Sequence, residues 1–327
     1  MPTENARTVD PSPQNFAGDS FAQTARRLFS ATRPKFFPAS ALPVLAGTAW
    51  GFTASGRLDV LIFALALFAT VCVHAASNVL NDVGDDSGGT DKQNDDRIYP
   101  YTGGSRFIQT GIMSATKMAR LGISLLAMAA IAGLGLIALK GPMVLYLGLA
   151  GVALGILYSL GPARLASLGI GETAVAIGFG VIPVAGAAWL QGAALDTQLL
   201  LFSLPVSAWV AAILLINEVP DIGADGATGK RTLPVRLGLD GTAVVYVLLH
   251  VAAGTITGWL AFNGALPLLA PLVPAALLIL AVKSGLAIRL GIQDRGRMTD
   301  AIESTLAIHT VGSLWLTGCV LFLHWWP

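Results

Sequence analysis

Asn78-Val-Leu-Asn-Asp82-Val-Gly-Asp-Asp86 and Asn217-Glu-Val-Pro-Asp221-Ile-Gly-Ala-Asp225 each close a long apolar run, and both read Asn-x3-Asp-x3-Asp. Ionised carboxylates next to hydrocarbon are costly unless a cation or another partner neutralises them, so the two clusters mark a working site. Two of them together point to an oxygen-ligated divalent metal holding a ligand that is itself strongly anionic.

The rest of the chain supplies the hydrocarbon setting. Of its 327 residues 54% are hydrophobic and only 12% charged, and the mean hydropathy is +0.69. A soluble domain carries about 25% charged residues, so this balance argues for a membrane solvent. With about 20 apolar residues needed per crossing, nine spans are expected, near 38–55, 60–83, 116–138, 142–160, 168–190, 198–219, 239–261, 267–287 and 301–324. The fold class is therefore an all-α membrane bundle, since the runs are too long and too uniformly apolar for barrel strands. The 37 glycines suit close helix approach in lipid. Residues 1–34 are polar, contain Pro11 and Pro13, and read as a flexible cytosolic tail ahead of a membrane domain over 35–327. Cys72 and Cys319 fall inside spans and read as packing residues.

Charge sets the orientation. With the N-terminus inside, 18 of the 20 Lys and Arg lie on the cytosolic face, leaving only Arg57 and Lys140 outside. Both acidic motifs then fall at cytosolic helix ends, and His324-Trp-Trp-Pro327 ends on the outer side. Asn78 and Asn217 stand 139 residues apart with four spans between equivalent helices. An even number preserves direction, so spans one to four and five to eight read as parallel four-helix copies plus one extra helix.

Residues four apart share a helix face, drifting about 40° per step. Asn78, Asp82 and Asp86 thus form a polar stripe roughly 12 Å long, with His74 one turn earlier. Asn217, Asp221 and Asp225 form its counterpart, loosened by Pro220 and Gly223. Cations follow each motif: Lys92, Arg97 and Arg106 in a polar loop of about 30 residues after the first, and Lys230 and Arg231 after the second. Carboxylates for Mg²⁺ with Lys and Arg for phosphate oxygens make up a diphosphate site. Lys230 and Arg231 also fit as ordinary cytosolic-face charges, and that reading stays open.

These motifs resemble those of the UbiA superfamily of intramembrane prenyltransferases over essentially the whole chain from about residue 30. The run from Asn81 to Arg97 and the segment Gly229-Lys-Arg-Thr-Leu-Pro-Val-Arg-Leu-Gly238 are most similar to the branch that prenylates 1,4-dihydroxy-2-naphthoate in menaquinone synthesis. Tyr158-Ser-Leu-Gly-Pro-Ala-Arg164 and Gly171-Glu172 resemble the family's tyrosine loop and fifth-span start. The resemblance implies Mg²⁺-dependent transfer of a polyprenyl group from its diphosphate to an aromatic acceptor. It implies metal ligation by Asp82, Asp86, Asp221 and Asp225, and a charge-stabilising role for Lys230 with Arg97 or Arg106. Asn78, Asn217, Asp91, Lys92, Arg97, Arg106, Arg231, Tyr158 and Glu172 are the candidates for substrate contact. It also implies a multi-pass protein of the bacterial inner membrane, whose partners are the polyprenyl diphosphate, the acceptor and the bilayer, with no nucleic acid. Other acceptors of the superfamily (4-hydroxybenzoate, homogentisate, a tetrapyrrole) stay open, as does an ion-coupled transporter. The Asp-Gly…Ala-Arg…Gly pattern of CDP-alcohol phosphotransferases is missing. His250 and His309 read as interhelical packing residues, Glu303 as a carboxylate at the start of the last span, and Arg164 and Arg289 as interface anchors.

Overall fold

The apolar runs become helices whose ends carry local stop and start signals. A computed structural model describes residues 10–89, 94–159 and 165–325. Its helices are α1 (Phe21–Ala31), α2 (Pro38–Ser55), α3 (Val60–Gly88), α4 (Ala115–Lys140), α5 (Met143–Ser159), α6 (Gly171–Leu190), α7 (Thr197–Asn217), α8 (Ile222–Ala227), α9 (Leu233–Phe262), α10 (Leu272–Leu290) and α11 (Arg295–Trp325). Asp59, Ser114 and Asp196 cap α3, α4 and α7 by accepting the backbone N–H three residues on, at 3.0, 3.3 and 2.9 Å. Gly56 and Gly89, in the left-handed region at φ 68° and 78°, end α2 and α3.

Among the described residues there is no strand. Six segments are long and apolar enough to cross a membrane: 60–88, 115–140, 171–190, 197–217, 233–262 and 272–323, the last holding both α10 and α11. Met143–Gly155 is a shorter apolar helix. Ile123, Ile131, Leu134 and Leu139 lie exposed on α4, the surface of a helix facing lipid rather than water.

Neighbouring helices pack in chain order, and α11 returns to α2, where Thr53 Oγ1 donates to the Val320 carbonyl at 3.3 Å. The deepest helix is α7, fully burying Phe202, Val206, Leu215 and Ile216. A π-helical stretch, Ala176–Val181, interrupts α6 beside it, and such stretches cluster at functional sites. Small residues set the closest approaches. A Cβ added at Gly47 of α2 would lie 2.1 Å from the Val184 carbonyl oxygen of α6. Backbone cannot swing away, so Gly47→Ala is expected to cost about 1–3 kcal/mol and lower the thermal midpoint in detergent by roughly 2–4 °C per kcal/mol. Gly148→Ala, facing open space on α5, is the control and should leave the midpoint unchanged or raised.

Residues 10–34, part of the stretch read from the sequence as a flexible tail, hold the mostly exposed helix α1 and reach the bundle through Phe16 and the buried Ala31. Ser20 and Gln23 form a capping box for α1, and Phe16 meets the Phe107 ring edge-on at 4.9 Å. Arg27 donates to the carbonyls of Phe16 and Gly18. The loop between α3 and α4 folds over the same end of the bundle, burying Ile98, Tyr101, Phe107 and Met113. Glu303 does not start the last helix. It stands two turns inside α11 and accepts the Tyr101 hydroxyl at 2.8 Å, pinning that loop.

Candidate active site

Along α3 the first motif stays helical to its end, whereas α7 stops at Asn217 and the chain turns before α8. Pro220 explains the stop, because it removes a helical hydrogen bond. Asp225 N still reaches back to the Asp221 carbonyl at 2.9 Å. The two motifs open onto one cavity of about 400 Å³. Its polar rim comprises Asn78, Asn81 and Asp85 of α3 with Asn217, Glu218, Asp221, Asp225 and Lys230. Its walls are apolar: Leu126 of α4, Val152 and Leu154 of α5, Phe179 of α6, and Val210 and Leu214 of α7.

Lys230 joins the motifs. Its Nζ lies 2.6 Å from Asp85 Oδ1 and 3.6 Å from Asp225 Oδ1. The Lys230 backbone N–H donates to the Asp225 carbonyl at 2.9 Å, which holds the side chain over the rim. Asn94 Nδ2 donates to Asp221 Oδ1 at 2.7 Å, tying the loop after α3 to the second motif.

The first stripe divides between the cavity and the loop that follows α3. Asp82 and Asp86 are not among the residues lining the cavity. Asp82 is buried and accepts the Ser105 N–H at 3.0 Å, while Asp86 accepts Gln109 Nε2 at 3.2 Å; both hold the loop after α3. The reason is helical geometry. Steps of four residues drift about 40° each, so Asp86 has turned about 80° from Asn78, whereas a step of seven returns to within about 20°. The residue seven after Asn78 is Asp85, and it is the carboxylate of α3 that faces the rim.

The other candidates divide. Asn78, Asn217, Asp221, Asp225, Lys230 and Tyr158 line the cavity. Glu172 is buried beside it and shares a hydrogen bond with Glu218. Arg97 and Arg106 lie outside the lining and converge on Asp10. Arg97 Nη2 is 2.5 Å from Asp10 Oδ2, and Arg106 Nε is 3.8 Å away. Arg231 is exposed, its backbone engaged with the Ser167 carbonyl. Asp91, Lys92 and Arg164 lie outside the described residues. Asn81, Asp85, Asn94, Glu218 and Arg33 are site residues that the sequence reading missed. The seven-residue period carried the signal for Asp85, and Glu218 stood beside Asn217.

Crowding of like charge shows in the ionisation of the rim. Burial raises the Asp221 carboxyl, against the Asn94 and Thr102 hydrogen bonds and the Arg33 charge that lower it. Burial likewise lifts Asp225 to about 7, with Lys230 opposing and Asp221 and Asp85 reinforcing. Burial and neighbouring Glu172 hold Glu218 well above the usual carboxylate range. Burial alone would lower Lys230, but Asp85 and Asp225 outweigh it and raise the ammonium.

This is a donor set short of positive charge. Among the described residues no group of three or more His, Cys, Asp or Glu side chains is close enough together to hold a metal ion by itself. Mg²⁺ does not require one, because it keeps waters and binds through one or two carboxylates plus substrate phosphates. Asp85, Asp221 and Asp225 are hard oxygen donors from both motifs, and the buried Asn217 Oδ1 and Glu218 Oε2 have no hydrogen-bond partner. The residues present fit a divalent cation completed by an anionic ligand.

Comparison with known proteins gives the chain a family and a fold. The model of the UbiA prenyltransferase family matches residues 40–289. The 1,4-dihydroxy-2-naphthoate octaprenyltransferase of Escherichia coli K12 is 32% identical over 72% of this chain and 80% of its own length. The Haemophilus influenzae protein of the same name is 33% identical over 68% and 72%. A UbiA homologue from Archaeoglobus fulgidus, solved bound to GPP and Mg²⁺, superimposes with a TM-score of 0.62 over 90% of this chain and 99% of that one, at 15% identity.

Proposed function

Because the chain belongs to the UbiA prenyltransferase family, and is therefore a multi-pass membrane enzyme that transfers prenyl groups, we propose that it transfers a polyprenyl group from polyprenyl diphosphate to 1,4-dihydroxy-2-naphthoate with loss of carbon dioxide. The observation that carries the reaction is the meeting of Asp85, Asp225 and Lys230 over an apolar cavity. The acceptor rests on the curated relatives of that name. Family membership displaces the transporter reading.

Asp85, Asp221 and Asp225 would hold Mg²⁺, which neutralises the diphosphate and stabilises it as a leaving group. Lys230 donates to a diphosphate oxygen as negative charge develops there. The allylic C–O bond breaks with its electron pair leaving on the diphosphate. The ring carbon bearing the carboxylate forms the new C–C bond, and carbon dioxide departs with the proton balance unchanged. Leu126, Val152, Leu154 and Leu214 take the isoprenoid tail and exclude water that would capture the cation. Tyr158 and Glu218 of the cavity lining, with Glu172 hydrogen-bonded to Glu218, are the candidates to bind an acceptor hydroxyl or take its proton.

The proposed setting is the bacterial inner membrane, crossed nine times by two four-helix repeats and a last helix, with the N-terminus and site cytosolic and the C-terminus outside. The Lys and Arg distribution supports that orientation. The pairing of α3 with α4 and of α7 with α9 supports the repeat.

Membranes supplied with labelled polyprenyl diphosphate and a panel of aromatic acceptors test the reaction. Prenylated naphthoate product is expected; product formed only from 4-hydroxybenzoate, homogentisate or a tetrapyrrole would replace the acceptor. EDTA should reduce transfer to background and Mg²⁺ restore it. With Asp225 poised at about 7, a proton competes for its carboxylate below neutrality. Mg²⁺ affinity in calorimetric titrations should therefore rise between pH 6 and 8, by at most about tenfold per pH unit. An affinity flat across that range would remove Asp225 from the metal-binding set.

A further inference from the structure

The helix α1 is short, uncovered along one side and tied to the bundle at its C-terminal end. Successive residues of a helix turn about 100°, so Phe21, Ala25, Leu28 and Phe29 share an arc of about 100°, with Ser30 on the opposite side. None of that arc is packed. Phe21 is 90%, Phe29 59% and Leu28 37% exposed, and Ala25 is exposed with them. An isolated helix shorter than about 12–15 residues is marginal in water, and α1 has 11. Its capping box at Ser20 and Gln23 satisfies the first turn but gives the apolar side nothing to pack against.

The first motif fixes the height of α1 on the bundle. Asn78 Nδ2 donates at 3.0 Å to the carbonyl of Thr32, the residue that ends α1, and Ala31 is buried with Val79, Phe107 and Met118. Asn78 stands where the apolar run of α3 gives way to Asn81, Asp82, Asp85 and Asp86, the level at which hydrocarbon gives way to headgroups. The uncovered arc continues into the bundle at that level. The Phe29 ring meets the Phe37 ring edge-on at 6.2 Å, and Phe37 leads into α2. Arg26 borders the arc, exposed and with its guanidinium 5.4 Å from the centre of the Phe16 ring, while Arg27 turns to the Phe16 and Gly18 carbonyls. Phenylalanine and leucine on one side with arginine at the border suit a helix lying in the plane of a membrane interface beside anionic lipid.

We propose that α1 docks on the bilayer leaflet at the motif end of the bundle, with Phe21, Leu28 and Phe29 among the acyl chains and Arg26 among anionic phospholipid headgroups. The seat serves the site, because the segment before α1 holds the loop between α3 and α4: Phe16 meets Phe107, and Asp10 takes Arg97 and Arg106. Docking of this kind requires only that the bundle spans a membrane, whichever acceptor the site takes. For the test, the full-length protein is reconstituted in nanodiscs of phosphatidylcholine alone or mixed equally with phosphatidylglycerol. A nitroxide is attached at Phe21→Cys or, facing the other way, at Ser30→Cys, in a background carrying Cys72→Ala and Cys319→Ala, both native thiols being buried. Its collisions with oxygen, which concentrates in hydrocarbon, and with a water-soluble nickel chelate report its depth. In the mixed discs the oxygen-to-nickel ratio at Phe21→Cys should exceed that at Ser30→Cys several-fold. Adding Arg26→Gln should lower the Phe21→Cys ratio about twofold or more in the mixed discs and leave it unchanged in phosphatidylcholine alone.

Phe21 is almost wholly exposed, so its replacement removes no packing, and an unchanged thermal midpoint confirms that the labelled proteins are folded. A nitroxide at Phe21→Cys that meets nickel as readily as one at Ser30→Cys would overturn the proposal by leaving α1 in water. One sheltered from both collision partners, with spin–spin broadening, would overturn it by seating a second copy of the chain on the arc. A ratio indifferent to both phosphatidylglycerol and Arg26→Gln would overturn the assignment to anionic lipid. Each of these results would leave the prenyl-transfer reading standing.

Discussion

Asp85→Asn is expected to reduce prenyl transfer about 10³-fold, the scale of removing a group that stabilises charge developing in a transition state, whereas Asp86→Asn should stay within a few-fold of wild type. The two residues are adjacent in sequence and equal in chemistry, so the comparison isolates direction. Asp85 faces the cavity and pairs with Lys230 at 2.6 Å. Asp86 turns to Gln109 Nε2. The amide in Asp85→Asn keeps the volume and removes the charge, so folding should be preserved while affinity for Mg²⁺ with diphosphate is lost. Asp82→Asn forms a third case. It weakens the bond to the buried Ser105 N–H that shapes the covering loop, and should lower thermal stability more than it lowers metal affinity. Steady-state kinetics and calorimetric metal titration of the three variants separate these outcomes. Equal loss in Asp85→Asn and Asp86→Asn would mean that α3 does not present a single face to the substrate.

That comparison also marks the limit of what the chain reveals before folding. Helix positions were legible, because a run such as 197–217 is too apolar and too long for any alternative, and its cap at Asp196 is local. That both motifs reach one end of the bundle was legible from the even number of spans between them. The phase of α3 was not. A written repeat of four draws the eye to Asn78, Asp82 and Asp86, yet the winding of the helix decides which carboxylate turns inward, and it selects Asp85. Arg33 was hidden differently. Among scattered tail charges it carries no motif, and its place depends on a left-handed backbone and on the Tyr101 carbonyl, 68 residues away. Arg97 and Arg106 show the converse, since their position after the first motif suggested phosphate contact and the fold gives them Asp10. Tertiary partners distant in sequence placed these three arginines, and no local pattern encodes them.

Lys230→Ala is expected to lower kcat about 10²- to 10³-fold with a smaller effect on the donor KM, and to change how the protein responds to Mg²⁺. Lys230 reaches Asp85 across 145 residues of sequence and lies 3.6 Å from Asp225. Without substrate it is the cation that keeps the two motifs together. Removing it leaves the half-buried Asp85 and the buried Asp225 without their shared cation, an arrangement that costs stability unless another cation enters. Metal-free Lys230→Ala should therefore melt below metal-free wild type. Mg²⁺ should raise its midpoint by more than it raises that of wild type, because the dication then replaces a charge that wild type already carries. Lys230→Arg restores charge but not a compact ammonium, so it should recover most of the metal-free stability and only part of kcat. If Mg²⁺ raises both midpoints equally and Lys230→Ala keeps wild-type turnover, Lys230 is an ordinary cytosolic-face charge, and the bridge between the motifs plays no part in the chemistry.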